Sequence, residues 1–388
     1  MVPQFDLSQN HASRKEAPNF RIFVAQFGEH RMNIQTKDPL TPTSTSPAFQ
    51  GFSFPAEWLH HAATWLSWPH TEASWLTVRQ ELMFPAYIEF IKAIAKGEQV
   101  CINIHNEIVM QAAKMRLLLA DADLSKITFL PHPTNDSWCR DHGPAFLTKP
   151  GTHERMIVNW GYNAWGGKYP PYDRDDLIPT QIAHYRKVPY VTPGIIMEGG
   201  SVEFNGAGTL LTSRACLLNQ NRNPSLNQNQ IEQYLCDYYG VQQVLWVEDG
   251  IVGDDTDGHI DDTVRFVNED TVIAAIEHNK NDANYAPLQE IHHELRQMRL
   301  LNGKQLNIVE LPMPDPIESD GLRLPASYAN FYIANAAVIV PTFRCNKDQQ
   351  ALDIIGTCFP DRPVVGIDST DIVWGLGSFH CLSQQEPA

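Results

Sequence analysis

From Phe52 onward, short apolar runs alternate with helical stretches, and this alternation limits the chain to the α/β class. Residues 100–104, 156–160, 272–276, 336–340 and 363–367 have strand character, being rich in Val, Ile and Ala. Between them, residues 81–96, 229–239 and 286–299 carry apolar positions at helical spacing. No Gly/Ser linker follows residue 50, and no repeat is visible in the letters. A single domain over residues 51–388 is the simpler reading. Residues 1–50 read differently. The run Thr41-Pro42-Thr43-Ser44-Thr45-Ser46-Pro47 is expected not to pack, which makes this stretch a flexible leader, and Met32 is an alternative start.

Bulk charge narrows the partners. With 29 basic and 45 acidic residues the net charge is −16, which disfavours nucleic acid or an anionic membrane and is permissive for a small cation. Seven cysteines are scattered without a C-x-x-C pair, as in a reduced compartment. No apolar run approaches a membrane span, and residues 1–20 lack an apolar signal core, so the cytoplasm is the default expectation.

The residue that stands out chemically is Cys381 in Gly377-Ser378-Phe379-His380-Cys381. It follows the glycine-bearing turn Trp374-Gly375-Leu376-Gly377 after a predicted strand. Glycines there allow a tight turn and close approach of a ligand. A thiol needs a partner to act as a nucleophile, because the thiolate is the reactive form. The alternative is a buried structural cysteine.

Asp257-Gly258-His259-Ile260-Asp261-Asp262 offers that partner. In an extended segment His259 and Asp261 share a face, and an imidazole beside a carboxylate is poised to trade protons. A calcium loop fails here, because Gly253 and Val264 would fall at ligating positions. Zinc lacks support, with no second His or Cys at ligand spacing. Trp138-Cys139-Arg140-Asp141 adds another acid. Asp141 can take two parallel N–H bonds from a guanidinium, or pair with a neighbour such as Arg140. Trp138 is either core or a wall for an alkyl stem. Glu198, after Ile195-Ile196, is an acid at a strand end that needs a buried partner, for which an imidazole is suited. The loop from Trp160 to Gly167 either walls a pocket or makes a packing corner. Thiol, imidazole and carboxylates together suit covalent attack on a guanidinium carbon.

Taken in order, several strings resemble the agmatine deiminase family, which is related to the bacterial peptidylarginine deiminases. They are Phe54-Pro55-Ala56-Glu57-Trp58, Asp136-Ser137-Trp138-Cys139-Arg140-Asp141-His142-Gly143-Pro144, Glu198-Gly199-Gly200-Ser201, Thr256-Asp257-Gly258-His259-Ile260-Asp261, Leu324-Pro325-Ala326-Ser327-Tyr328-Ala329-Asn330-Phe331-Tyr332 and His380-Cys381-Leu382-Ser383. The resemblance runs from about Phe52 to the last residue. It implies a five-bladed α/β propeller (pentein-type) of ββαβ modules around a central site. It implies Cys381 as nucleophile, His259 as acid/base, Asp141 and Asp261 as guanidinium-binding carboxylates and Glu198 as support. Neither metal nor organic cofactor is implied.

Two stretches depart from the family. Many agmatine deiminases read Gly-Gly-Gly-Asn-Ile-His-Cys at the nucleophile, and residues 341–348 lack a Gly-Asp-Pro common there. Both departures bear on the pocket end that holds the substrate's far amine. The expected substrate is agmatine. A peptidylarginine or free-arginine deiminase with the same core is the second reading, and a non-catalytic guanidine-binding protein the third. A homo-oligomer is left open.

Overall fold

A computed structural model of the protein describes residues 39–388, apart from residues 73, 76 and 320. These residues form one body, from Asp38 to the C-terminus.

Its first strand, β1 (His61–Ser67), leads through α1 (Thr77–Ala95) to β2 (Gln99–Asn103), and then through α2 (Glu107–Leu119) to β3 (Ile127–Leu130). These strands pair in parallel, β1 with β2 and β2 with β3, as helical crossovers require. The remaining chain repeats one pattern: two antiparallel strands, a helical stretch, and a third strand parallel to the second. The next sheet follows α3 (Cys139–His142) and contains β4 (Ala145–Thr148), β5 (Arg155–Val158) and β6 (Tyr190–Val191), with α4 (Ala164–Gly167) and α5 (Ile178–Arg186) between the last two. Another contains β7 (Val202–Phe204), β8 (Thr209–Ser213) and β9 (Gln243–Val247), with α6 (Arg214–Leu217) and α7 (Gln228–Tyr239). Then come β10 (Val264–Phe266), β11 (Thr271–Ile276), α8 (Tyr285–Gln297) and β12 (Asn307–Pro312). A hairpin, β13 (Glu318–Ser319) and β14 (Leu322–Arg323), precedes β15 (Tyr332–Ile333), β16 (Val338–Thr342), α9 (Asp348–Cys358) and β17 (Val364–Asp368). The last strand, β18 (Ser383–Pro387), pairs antiparallel with β1, so the two ends of the body share a sheet and the first sheet acquires the same pattern. The α/β class is as the sequence predicts. The repeat, invisible in the letters, lies in the connectivity.

Local chemistry accounts for the elements. α7 opens with a capping box of Asn227 and Gln230 and ends at Gly240 in the left-handed region. Its buried Ile231, Leu235 and Tyr239 recur every four residues, and Leu288, Ile291 and Leu295 do the same work on α8. The β-branched centre of β11 is buried on both faces, as a middle strand between helix and neighbour demands.

The leader expectation needs correction where the chain is described. The backbone N–H of Leu40 donates to the carbonyl of Gln242, and Thr43 donates to the Asp237 carboxylate from its backbone N–H at 2.7 Å and its hydroxyl at 3.1 Å. The Thr/Ser/Pro stretch is therefore tethered at the end of α7, with Ser46 and Pro47 buried while Thr41 and Thr43 to Thr45 stay exposed. Residues 1–38, including Met32, lie outside the described residues.

Closure of the first sheet rests on one buried side chain. Glu386 on β18 accepts from Trp65 Nε1 at 2.8 Å, Arg155 at 2.6 Å and Arg186 at 2.8 Å. Glu386→Ala removes the acceptor that the three donors share. The guanidiniums keep some solvent and Arg155 still reaches the Pro387 carbonyl, so the cost is about 1–3 kcal/mol. The expected outcome is a lower urea midpoint at unchanged slope; an unchanged midpoint contradicts this role for the strand.

Candidate active site

Five turns converge at the site, and each stands immediately before the first strand of a sheet's antiparallel pair. α3 precedes β4, the turn Gly199–Ser201 precedes β7, Ile260–Asp262 precedes β10, residues 327–331 precede β15, and residues 379–382 precede β18. Hydrogen bonds link them in sequence. The N–H of Gly200 donates to Asp141 Oδ1 at 3.0 Å. Arg222 bridges Glu198 Oε1 at 2.7 Å and the carbonyl of Thr256 at 2.8 Å. Ser327 and Asn330 donate to Asp262 at 2.7 and 2.9 Å. Cys381 N–H donates to Asn330 Oδ1 at 3.3 Å, and Arg140 N–H donates to the Cys381 carbonyl at 3.1 Å.

Cys381 is buried, and its sulfur accepts from Asn330 Nδ2 at 3.0 Å and lies 3.6 Å from Asp261 Oδ2. Burial, with Asp261, Asp262 and Asp141 close by, pushes its thiol well above the usual range. The free protein therefore holds a thiol rather than a thiolate.

His259 has no exposure, and its Nδ1 lies 3.7 Å from Asp141 Oδ1. Burial opposes its charge, but Asp141, Cys216 and Asp261 outweigh that and hold its pKa well above the usual value. Burial also pushes Asp141 up, against the pull of His259. Imidazole is the stronger base of the two, so it is His259 that carries the proton and Asp141 that supplies the countercharge. Asp261 behaves differently: burial raises its pKa, while His380 and His259 bring the carboxyl below its usual range. Its Oδ1 is buried without a hydrogen-bond partner.

These groups surround Gly200. A Cβ there would fall 2.6 Å from His259 Nδ1, 2.9 Å from Asp141 Oδ1 and 3.1 Å from Asp261 Oδ2. Alongside lies a cavity of about 160 Å³ reaching Cys381 and Asp141, walled by Trp138, Trp165 and Trp374. Trp165 donates to Asp141 Oδ2 at 2.9 Å. Trp138 packs on Trp75 at 5.1 Å between ring centroids, and Gly375 and Gly377 leave room for its ring, where a Cβ would come within 2.9 and 2.5 Å. Asp136 and Asp255 bring two further acids to the wall, and among the described residues no Lys, Arg or His lines it. Burial pushes Asp136 up to about 6.

The chain has relatives among known proteins. A profile of the Porphyromonas-type peptidyl-arginine deiminases matches residues 53–387. The chain belongs to that family. Agmatine deiminase of Ectopseudomonas mendocina is 34% identical over 372 residues, covering 90% of this chain and 99% of that protein. The Pseudomonas aeruginosa agmatine deiminase is 35% identical over 370 residues, with 89% and 98% covered. The solved agmatine deiminase of Enterococcus faecalis superposes with a TM-score of 0.82 at 31% identity, covering 90% of this chain and 99% of that one.

Within this member of the Porphyromonas-type deiminase family, the sequence brought Cys381, His259, Asp261, Asp141 and Glu198 to one place. Three details differ. His259 and Asp261 are on a short 3₁₀ turn, not a strand, because Asp254 caps the N–H groups of Gly258 and His259. Glu198 is held by Arg222 rather than by an imidazole. The fold also supplies what spacing lacked: Cys216, on α6, stands with Glu198 and His259 as one set of three ligand-type atoms within 4.8 Å, and Asp261, Asp262 and Cys381 form another. Arg140 turns away from the cavity, to Glu57 at 3.4 Å and Gln385 at 2.8 Å. Of the two departures from the family pattern, Leu376 lines the cavity and residues 341–348 do not. Asn330, Trp165 and His380 went unassigned in the sequence; only adjacency to Cys381 and the aromatic–glycine loop signalled the last two.

Gly200→Ala tests the cradle. A displacement of about 1 Å at a reacting group can cost on the order of 100-fold in rate. The variant is expected to keep its circular dichroism and lose at least about that factor in kcat/KM on a guanidine substrate. Wild-type kinetics would mean that nothing reacts beside Gly200.

Proposed function

We propose that the protein is a hydrolase that converts agmatine to N-carbamoylputrescine and ammonia through an amidino adduct on Cys381. The observation that carries this reading is the thiol at an acidic, aromatic-walled cavity with no basic residue among the described residues of its lining. In the free protein, protonated His259 is the cation that Asp141 and Asp261 hold. A guanidinium entering beside it gives the same carboxylates a planar, bidentate partner. Its positive charge next to Cys381 favours the thiolate, so the substrate helps to activate its own nucleophile as the thiol proton passes to solvent.

The thiolate then attacks the guanidinium carbon, forming C–S. His259 gives its proton to one terminal nitrogen, the C–N bond breaks and ammonia leaves. Neutral His259 next takes a proton from water, whose oxygen attacks the same carbon. Collapse breaks C–S, the remaining hydroxyl proton passes to solvent, the urea product is released and the thiolate is restored. Asp141 and Asp261 fix the near-attack geometry, and Glu198, clamped by Arg222, supports the charge balance behind His259.

Agmatine rather than arginine fits the far end. Trp138 and Trp374 suit a butyl stem, and Asp136 suits an ammonium, while Asp255 is already met by Lys168 at 3.4 Å and by the Tyr169 hydroxyl. An α-carboxylate there would be desolvated beside acids, and the nearby cations are committed elsewhere: Arg140 to Glu57 and Gln385, His142 to Asp175, and Lys168 to Asp255 and Asp257. The repeated connectivity, the β18–β1 pairing and the convergence of five turns support an arrangement of the sheets as five propeller blades around this site.

The direct test is ammonia release from agmatine, arginine and a blocked arginine peptide, with agmatine expected to be preferred; equal use of arginine contradicts the acidic-end argument. Cys381→Ser is expected to lose turnover by more than about a thousandfold while still binding agmatine by calorimetry. Activity within about tenfold of wild type would place the nucleophile elsewhere. Asp136 sets a pH dependence: its carboxyl is charged above about 6 and neutral below. The KM for agmatine should therefore rise as pH falls through that value, and Asp136→Asn should remove that rise; its persistence in the variant would assign it to another group.

A further inference from the structure

Behind the reaction centre lies a second layer of charge that the chemistry above does not use. His380, buried and adjacent to the nucleophile, directs Nδ1 at Asp261 Oδ2 at 2.6 Å and Nε2 at Glu57 Oε2 at 2.8 Å. An ionised carboxylate can only accept, so both contacts are hydrogen bonds only when each ring nitrogen carries a proton. Glu57 is itself fixed: Oε1 accepts from the N–H of Ile333 at 2.8 Å, and Oε2 from Arg265 at 3.0 Å and Arg140 at 3.4 Å. The imidazole is thus anchored at its far nitrogen and presses its near one on Asp261. It does not line the cavity that reaches Cys381; it faces a separate small cavity on the other side of the turn.

We propose that His380 is a positioning residue: an imidazolium, wedged between Glu57 and Asp261, that holds Oδ2 of Asp261 and so leaves Oδ1 as the oxygen offered to the substrate guanidinium. This rests on the deimination reading for what Asp261 does, but the state of His380 does not. The unpartnered Oδ1 is what such a division of the carboxylate would leave. Asp261 is fully buried beside Asp262 and Cys381, where burial alone would favour its neutral form, and the hydrogen bond and charge of His380 offset that most strongly. Other charged or titratable groups face this pair: Glu57, Arg140 and Asp141 on α3, Glu203 on β7, Arg265 on β10, His259 and Asp262 on the turn of Asp261, and the Cys381 thiol. None of the cations among them hydrogen-bonds Asp261.

Two substitutions separate positioning from packing. In His380→Asn the amide nitrogen takes the place of Nδ1, keeping the donor to Asp261 and losing Glu57. In His380→Gln it takes the place of Nε2, keeping Glu57 and leaving Asp261 without a donor. The proposal expects Asn to stay within about tenfold of wild-type kcat/KM and Gln to lose about a hundredfold or more. For Gln, the loss should include a raised KM for agmatine and an acid limb of kcat/KM displaced to higher pH. Equal losses in the two variants at equal melting temperature, or an undisplaced limb in Gln, would overturn it.

A measurement on the wild-type protein stands apart from folding and from turnover. In ¹⁵N-histidine spectra, His380 (assigned by its loss in the Asn variant) is expected to show both nitrogens protonated at the assay pH. A neutral tautomer overturns the proposal. Absence of agmatine turnover in the wild type would overturn the deimination reading instead, and the spectra would still decide the state of His380.

Discussion

The structure depends on burying carboxylates close together. Asp141, Glu198, Asp261 and Asp262 are all at most 5% exposed. An isolated ionised carboxylate does not survive such burial; it is paired or takes a proton. Each one here has a different solution. Glu198 is paired with Arg222, Asp261 with His380, and Asp141 faces the charge of His259 at 3.7 Å. Asp262 is pushed well up by burial and by Asp261 and Asp254, and accepts from Asn330. Such networks add little net stability, but losing one member leaves a stranded charge, and that penalty fixes geometry. The five turns are therefore locked at one relative placement, which is what a near-attack arrangement needs.

The same constraint explains how a thiol can be stored safely. The acids around Cys381 suppress the thiolate in the free protein. Reactivity toward oxidants and stray electrophiles follows the thiolate fraction, so the resting site is quiet. A guanidinium is the kind of ligand that reverses this, because it brings the missing positive charge to the carbon that is to be attacked. Binding and activation become one event, and neutral analogues of the same shape cannot trigger it.

Legibility in the sequence followed the range of the interactions. The α/β class and the individual strands and helices were readable, because β-branched runs and four-residue apolar spacing are local signals. The residues Cys381, His259, Asp261, Asp141 and Glu198 were readable because their strings resemble a known family. What failed was long-range. The partner of Glu198 lies 24 residues away in Arg222, and Cys216 reaches His259 only because α6 ends β8 beside the turn. His380 was visible as a neighbour of the thiol, yet its meaning depends on Glu57, 323 residues upstream. Residues 41–47 looked unable to pack, because nothing in the run announces Asp237 as a partner. The repeat of connectivity has no echo in the letters, since each sheet is specified by its own apolar pattern.

The central claim is that a covalent bond forms between Cys381 and a guanidinium carbon. Wild-type protein mixed with agmatine, quenched in acid within the first turnovers and digested, is to be read by mass spectrometry. An adduct carrying the elements of agmatine less ammonia is expected on the peptide that contains Cys381, rising and then declining as substrate is consumed. Steady turnover with an unmodified Cys381 peptide, or an adduct on any other residue, would contradict it.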